Sequence, residues 1–132
     1  MKILIAEDDF TSRKYVLKLL EKYGECDITV NGLEAIEAFI MAVEEGAPYN
    51  LVCLDVMMPK IDGLRVLRYI REKEEEMNLA SEKRVKIIIT TALAESDIVN
   101  NKTFNEGLEV FIPKPMESTR LHEIIKNFGL IE

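Results

Sequence analysis

Two cysteines, a single histidine, no apolar run of membrane length and no surplus of basic residues each close a class of function. Cys26 and Cys53 fall in separate strand-like segments without metal-ligand spacing, which leaves them as reduced structural thiols rather than a thiolate metal site or a disulfide framework. His122 sits on the polar side of a late amphipathic pattern, and a lone surface histidine is far more often incidental than catalytic. A net charge of -7 argues against nucleic acid, which needs a basic face to neutralise its phosphates. The 48% hydrophobic content is cut into short segments. None approaches the roughly 20 apolar residues that span a bilayer. The start, Met1 to Glu7, is too briefly apolar for a signal peptide and ends in acids, so it reads as the mature first strand of a cytosolic protein.

What is present is an alternation. Ile3 to Ala6 is a short β-forming run that stops at Glu7-Asp8-Asp9. Tyr15, Val16, Leu19, Leu20 and Tyr23 then recur at helical spacing, with Thr11 or Ser12 as the expected cap and Gly24 as the expected stop. Ile28 to Val30 reads as a second strand, and Ile36, Phe39, Ile40 and Val43 as the stripe of a second helix after the Asn31-Gly32 turn. Leu64, Leu67 and Ile70 mark a third helix, and the charged run Arg71 to Glu76 reads as its solvated end. Val85 to Thr91 and Val110 to Ile112 make two further strands, with Leu121, Ile124, Ile125 and Phe128 lining the last helix. Ser96 to Glu106 is only weakly helical, because Asn100, Asn101 and Thr103 are poor helix formers. Strands alternating with helices imply a three-layer doubly wound (βα)5 α/β domain, since parallel crossovers are right-handed and cover both sheet faces. At 132 residues there is room for one such domain, here residues 1–132, and too little for a second folded module.

The central stretch is Leu51 to Gly63. It begins as a strand buried on both faces, and the pattern breaks at Asp55, where a carboxylate needs a reason. Pro59 and Asp62-Gly63 force the backbone out of regular structure before a helix resumes at Leu64, so Asp55 lies at a strand exit facing a loop. In parallel α/β sheets that edge binds ligands.

Asp8-Asp9, Asp55, Met58-Pro59, Asp62-Gly63, Thr91-Ala92 and Lys114-Pro115, in this order and at four successive strand ends, resemble the receiver domain of two-component response regulators, the stand-alone chemotaxis type in particular. The resemblance runs nearly end to end. It implies a flavodoxin-like five-stranded sheet of order 2-1-3-4-5, a helix over Ser96 to Glu106, no output domain, and a cytoplasmic bacterial protein. In that order the first and third strands are neighbours, so Asp8, Asp9 and Asp55 converge and repel one another unless a cation joins them. Hard oxygen ligands suit Mg²⁺, with Mn²⁺ or Ca²⁺ as substitutes. By resemblance, Asp8 and Asp9 hold the metal, Asp55 and the Met57 backbone carbonyl add oxygens, and Asp55 attacks phosphorus to give an acyl phosphate. Lys114 supplies a positive charge and Thr91 a hydroxyl, and a cis peptide between Lys114 and Pro115 aims the ammonium inward. Helix capping would account for one acid of the Asp8-Asp9 pair and leave the other unexplained; Asp62 is ordinary turn chemistry.

The same resemblance implies phosphorylation by a histidine kinase in a Mg²⁺-dependent step. The chain would catalyse only its own phosphorylation and dephosphorylation, and would signal by binding an unknown downstream protein, as a monomer or weak dimer, without contact to nucleic acid or membrane. Thr91 and Phe111 form the implied switch: Thr91 moves towards the phosphoryl group and Phe111 turns into the vacated space. Met57 and Leu93 stand where relatives tune hydrolysis, and both are apolar, which implies a long-lived phosphoryl state. Met116 and Phe104 depart from residues common at their positions, so the signalling face is this chain's own. Three alternatives stand beside this reading. One is a phosphorelay intermediate that passes the group on. Another is a haloacid-type phosphohydrolase, which needs a second acid where this chain has Met57. The third, a pseudo-receiver that binds without phosphorylation, is disfavoured by the complete set Asp8, Asp9, Asp55, Thr91 and Lys114.

Overall fold

The computed structural model describes residues 1–92 and 107–132. Strands β1 (Lys2–Ala6), β2 (Glu25–Thr29), β3 (Leu51–Asp55), β4 (Lys86–Thr91) and β5 (Glu109–Pro113) lie parallel in the order β2-β1-β3-β4-β5. This is the expected flavodoxin-like order. Helices α1 (Phe10–Leu20), α2 (Gly32–Glu44), α3 (Gly63–Glu76) and α4 (Ser118–Asn127), with one 3-10 turn at Ser81–Lys83, complete the described elements. The helix expected across Ser96 to Glu106, together with Leu93 and Phe104, lies outside the described residues.

Strand alternation sorts the apolar side chains into two layers. Leu4, Val52, Leu54, Ile87 and Ile89 pack on one face with Phe39 of α2 and Val66, Leu67 and Ile70 of α3. Ile3, Ile5, Leu51, Cys53, Ile88 and Ile112 pack on the other with Val16 and Leu20 of α1 and Leu121, Ile124 and Ile125 of α4. Each fully buried Leu or Ile contributes about 1.5–3 kcal/mol, so the sheet is held from both sides and its edges are fixed in place.

Three local expectations are corrected. The cap of α1 is Asp9, not Thr11 or Ser12: its backbone is extended and its carboxylate accepts the Ser12 amide at 2.8 Å. The second strand begins at Glu25 rather than Ile28, because the whole of Glu25–Thr29 pairs with Lys2–Ala6 although its residues are half polar. The largest correction concerns Arg71 to Glu76. Arg71 and Glu74 are buried, not solvated. The Arg71 guanidinium donates to Glu109 Oε2 at 2.6 Å, to Glu74 Oε1 at 2.6 Å and to the carbonyl oxygens of Val85 and Leu108, while Glu74 Oε2 accepts the Val85 amide at 2.7 Å. The charges thus tie the end of α3 to the entries of β4 and β5. Their spacing of three along the helix puts Arg71 and Glu74 on one face, which the run of like residues around them disguises.

Candidate functional site

The sheet register decides which acids meet. Ile3 lies beside Leu51 and Ile5 beside Cys53, all four pointing into the α1/α4 layer. Two residues further on, with the same parity, stand Glu7 and Asp55. The carboxylates that come together are accordingly Glu7, Asp8 and Asp55, each with an oxygen within 4.8 Å of the others. Asp9, which the sequence reading placed in this set, turns to α1 instead, where the Ser12 amide and hydroxyl hold its carboxyl below the usual range. Glu7, absent from that reading, is buried at 2% exposure; Asp55 is at 4%, and Asp8 is the exposed member through which the cluster opens to solvent.

Lys114 completes the site from the end of β5. Its Nζ lies 2.6 Å from Glu7 Oε1 and 3.3 Å from Asp55 Oδ2. Glu7 Oε2 accepts the Asp9 amide at 3.2 Å, so both oxygens of this buried carboxylate are used. Burial pushes the Asp55 carboxyl up to about 6, the hydrogen bond and charge of Glu7 add to the rise, and Lys114 opposes it. Burial alone would lower the Lys114 ammonium, but the bond to Glu7 and the charges of Asp55 and Glu7 outweigh it and leave Lys114 above its ordinary value.

Thr91 and Met57 take places at the same edge, while Phe111 lies further back along β5. Thr91, buried at the end of β4, accepts the Lys114 amide on its carbonyl at 2.9 Å, and the Lys114-Pro115 peptide is cis. Met57 follows Asp55 by two residues, with its side chain 61% exposed. Phe111 is partly buried against the α2/α3 layer. Asp62 caps α3 by accepting the Arg65 amide at 2.9 Å, in keeping with the turn assigned to it. Gly63 holds the loop close: a Cβ there would stand 2.3 Å from the Asp55 carbonyl oxygen. Beside Lys114, a cavity of about 390 Å³ is bounded by Ser12, Tyr15, Thr90 and Met116.

Three converging carboxylates with a lysine at the carboxyl edge of a doubly wound parallel sheet define a class of signalling module, and the comparisons name it. The chain belongs to the response regulator receiver domain family, whose pattern it matches over residues 3–126. It is similar to hybrid signal transduction histidine kinase L of Dictyostelium discoideum, at 35% identity over 130 residues, or 97% of this chain. The chain spans 7% of that relative's length. Among solved structures, it resembles the N-terminal domain of an uncharacterized protein from Wolinella succinogenes, at 26% identity and TM-score 0.76, covering 98% of this chain and 94% of the other. It also resembles the receiver domain of the histidine kinase CKI1 from Arabidopsis thaliana complexed with Mg²⁺ and BeF₃⁻, at 25% identity and TM-score 0.74, covering 95% and 89%. Receiver domains in general are signalling modules rather than enzymes, and their relatives here include eukaryotic kinases, so the likeness does not single out bacteria. Among the described residues no helix is long and apolar enough to cross a membrane.

Proposed function

We propose that this receiver accepts a phosphoryl group on Asp55 from a histidine kinase, in a step that requires a divalent cation such as Mg²⁺, and signals through a partner protein that binds the phosphorylated form. The observation that supports it is the cluster of Glu7, Asp8 and Asp55 with Lys114 at 2.6 Å and 3.3 Å. Three hard oxygen donors, one of them exposed, fit a hard divalent cation. Glu7, Asp8 and Asp55 would hold it, with the Met57 carbonyl as a further donor. When bound, such an ion neutralises charge that would otherwise keep an anionic phosphodonor from an anionic nucleophile.

The chain's own groups do the rest. An Asp55 carboxylate oxygen forms the bond to phosphorus while the bond from phosphorus to the donor's leaving nitrogen breaks and its electron pair departs with the imidazole. Lys114, already between Glu7 and Asp55, pairs with the new phosphoryl oxygens, and Thr91 offers its hydroxyl from the adjacent strand end. The phosphoryl charge then biases a two-state equilibrium, and Phe111, half-buried on β5, transmits it to the partner face by packing. Passage of the group to a further histidine protein is a second reading, favoured by the hybrid kinases among the relatives.

Incubation with acetyl phosphate and Mg²⁺, followed by intact-mass measurement and peptide mapping, tests the proposal. One phosphoryl group at Asp55, lost in Asp55→Asn and blocked by chelation, is the expected result. Unlimited turnover of phosphomonoesters would indicate a hydrolase, and a chain that is never modified a pseudo-receiver.

A further inference from the structure

The carbonyl oxygens of Glu7, Asp8 and Asp9 all accept hydrogen bonds from one residue, Arg13. Its Nη1 donates to the Glu7 carbonyl at 3.0 Å and to the Asp8 carbonyl at 3.2 Å, and its amide donates to the Asp9 carbonyl at 2.8 Å. The last of these is the ordinary opening bond of a helix. The first two come from a side chain that reaches back past the end of β1. That strand ends at Ala6, and among the described residues no backbone amide donates to the Glu7 or Asp8 carbonyl.

A peptide unit is planar, so holding a carbonyl oxygen also fixes the amide that follows it. The two bonds from Nη1 therefore hold the planes on either side of Asp8, which sets the direction of its Cα–Cβ bond. Asp8 depends on this more than its neighbours do. Glu7 is buried with both oxygens engaged, and Asp55 is buried beside Lys114. Asp8 is exposed, and among the described residues no hydrogen bond or ion pair holds its carboxylate, yet it comes within 4.8 Å of the other two. The guanidinium is packed in its turn: the Phe10 ring, 67% exposed, has its centre 5.6 Å from Arg13 Cζ.

On charge alone, a guanidinium beside a cation site weakens it. We propose that Arg13 is a positioning residue: by holding the Glu7 and Asp8 carbonyls it aims the Asp8 carboxylate into the cluster, and the site binds a divalent cation more tightly with the guanidinium than without it, despite the like charge. This rests on the cation role proposed for Glu7, Asp8 and Asp55 and names a residue outside that set on which it depends.

Calorimetric titration of the whole chain with Mg²⁺ separates clamp from charge, because the two effects have opposite signs. Arg13→Met, which removes the donors and the charge, should weaken binding about tenfold. Lys14→Met removes the same charge from the next, exposed residue and should change the affinity less than about twofold. Binding by Arg13→Met as tight as the parent's, or tighter, is what loss of charge alone produces and would overturn the proposal. In chelator, the amide resonances of Asp8 and Asp9, which share peptide planes with the held carbonyls, should move in Arg13→Met and stay in place in Lys14→Met; resonances that do not move in Arg13→Met would overturn it as well. The rest of each spectrum checks that the fold is kept. If Arg13→Met does not fold, Arg13→Lys takes its place: it keeps the charge, ends one bond short of Nη1 and should bind Mg²⁺ severalfold more weakly, and parental affinity there would be fatal. A parent that binds no Mg²⁺ would sink the cation reading and this inference with it, a failure distinct from one in which parent and Arg13→Met bind alike.

Discussion

Glu7 and Lys114, separated by 107 residues in the chain, meet at 2.6 Å across the carboxyl edge of the sheet. The contact is shorter than the 3.3 Å between Lys114 and Asp55, so in this arrangement the lysine is held chiefly by Glu7 rather than by Asp55. That neighbour, not Asp9, is the buried acid beside Asp55.

Glu7→Gln should therefore weaken Mg²⁺ binding by about tenfold or more, since it removes one charge from a three-carboxylate donor set. Asp9→Ala should leave the affinity within about twofold but lower the urea midpoint through loss of the α1 cap. Calorimetric titration and urea denaturation of both variants separate the roles; a reversed ranking of Mg²⁺ affinities would reinstate the Asp8-Asp9 pair.

Asp55 titrates near 6 in the fold against an ordinary 3.8, chiefly because it is buried and then because of Glu7. Between those values the folded state binds more protons than the unfolded chain. The contribution of this group to stability is thus full at the acid end, declines as pH rises from about 4 to about 6, and stays low above that. In chelator, Asp55→Asn should melt higher than the parent at pH 7, with the gain shrinking as pH is lowered through 6. An equal difference at both ends of the range would contradict the burial argument.

Gly63 packs its Cα against the backbone of Asp55 and donates its amide to the Val56 carbonyl at 2.9 Å. Gly63→Ala should displace the loop that aims Asp55, costing about 1–3 kcal/mol and slowing acetyl phosphate labelling severalfold. Labelling at the parental rate in a folded variant would show that this close approach is not what positions Asp55.

Arg71 is the cation of a buried triad with Glu74 and Glu109. Arg71→Met strands two carboxylates and should cost about 3–5 kcal/mol. Arg68→Met, one turn back on the exposed side of α3, should stay within about 0.5 kcal/mol. Equal losses by chemical denaturation would mean that the triad is not what anchors β5.

Met57, exposed two residues beyond Asp55, gives an attacking water nothing to bond. Met57→Asn should shorten the lifetime of the phosphoryl group severalfold, measured as loss of label after the donor is removed. An unchanged lifetime would place the control of hydrolysis elsewhere.

The Arg71 to Glu76 run and the acids after β1 show where local pattern loses its hold. Asp55 was legible because a carboxylate interrupting an apolar strand is conspicuous, and Lys114 and Thr91 because they stand at strand exits. Glu7 was overlooked although its parity with Ile3 and Ile5 pointed to the right face, because Asp8-Asp9 offered a more conspicuous pair. Arg71 and Glu74 looked solvated because nothing local marks which charges in a mixed run will be covered.

From the sequence alone came the strand and helix alternation, the doubly wound class, and the placing of Asp55 and Lys114 at strand exits, all set by periodicities of two and 3.6 and by interruptions within one segment. Only the tertiary structure decided which acid faces Asp55, which one caps a helix and which charges are buried. Those outcomes depend on the register between strands distant in the chain and on the packing of α3 over β4 and β5, and no single segment contains either.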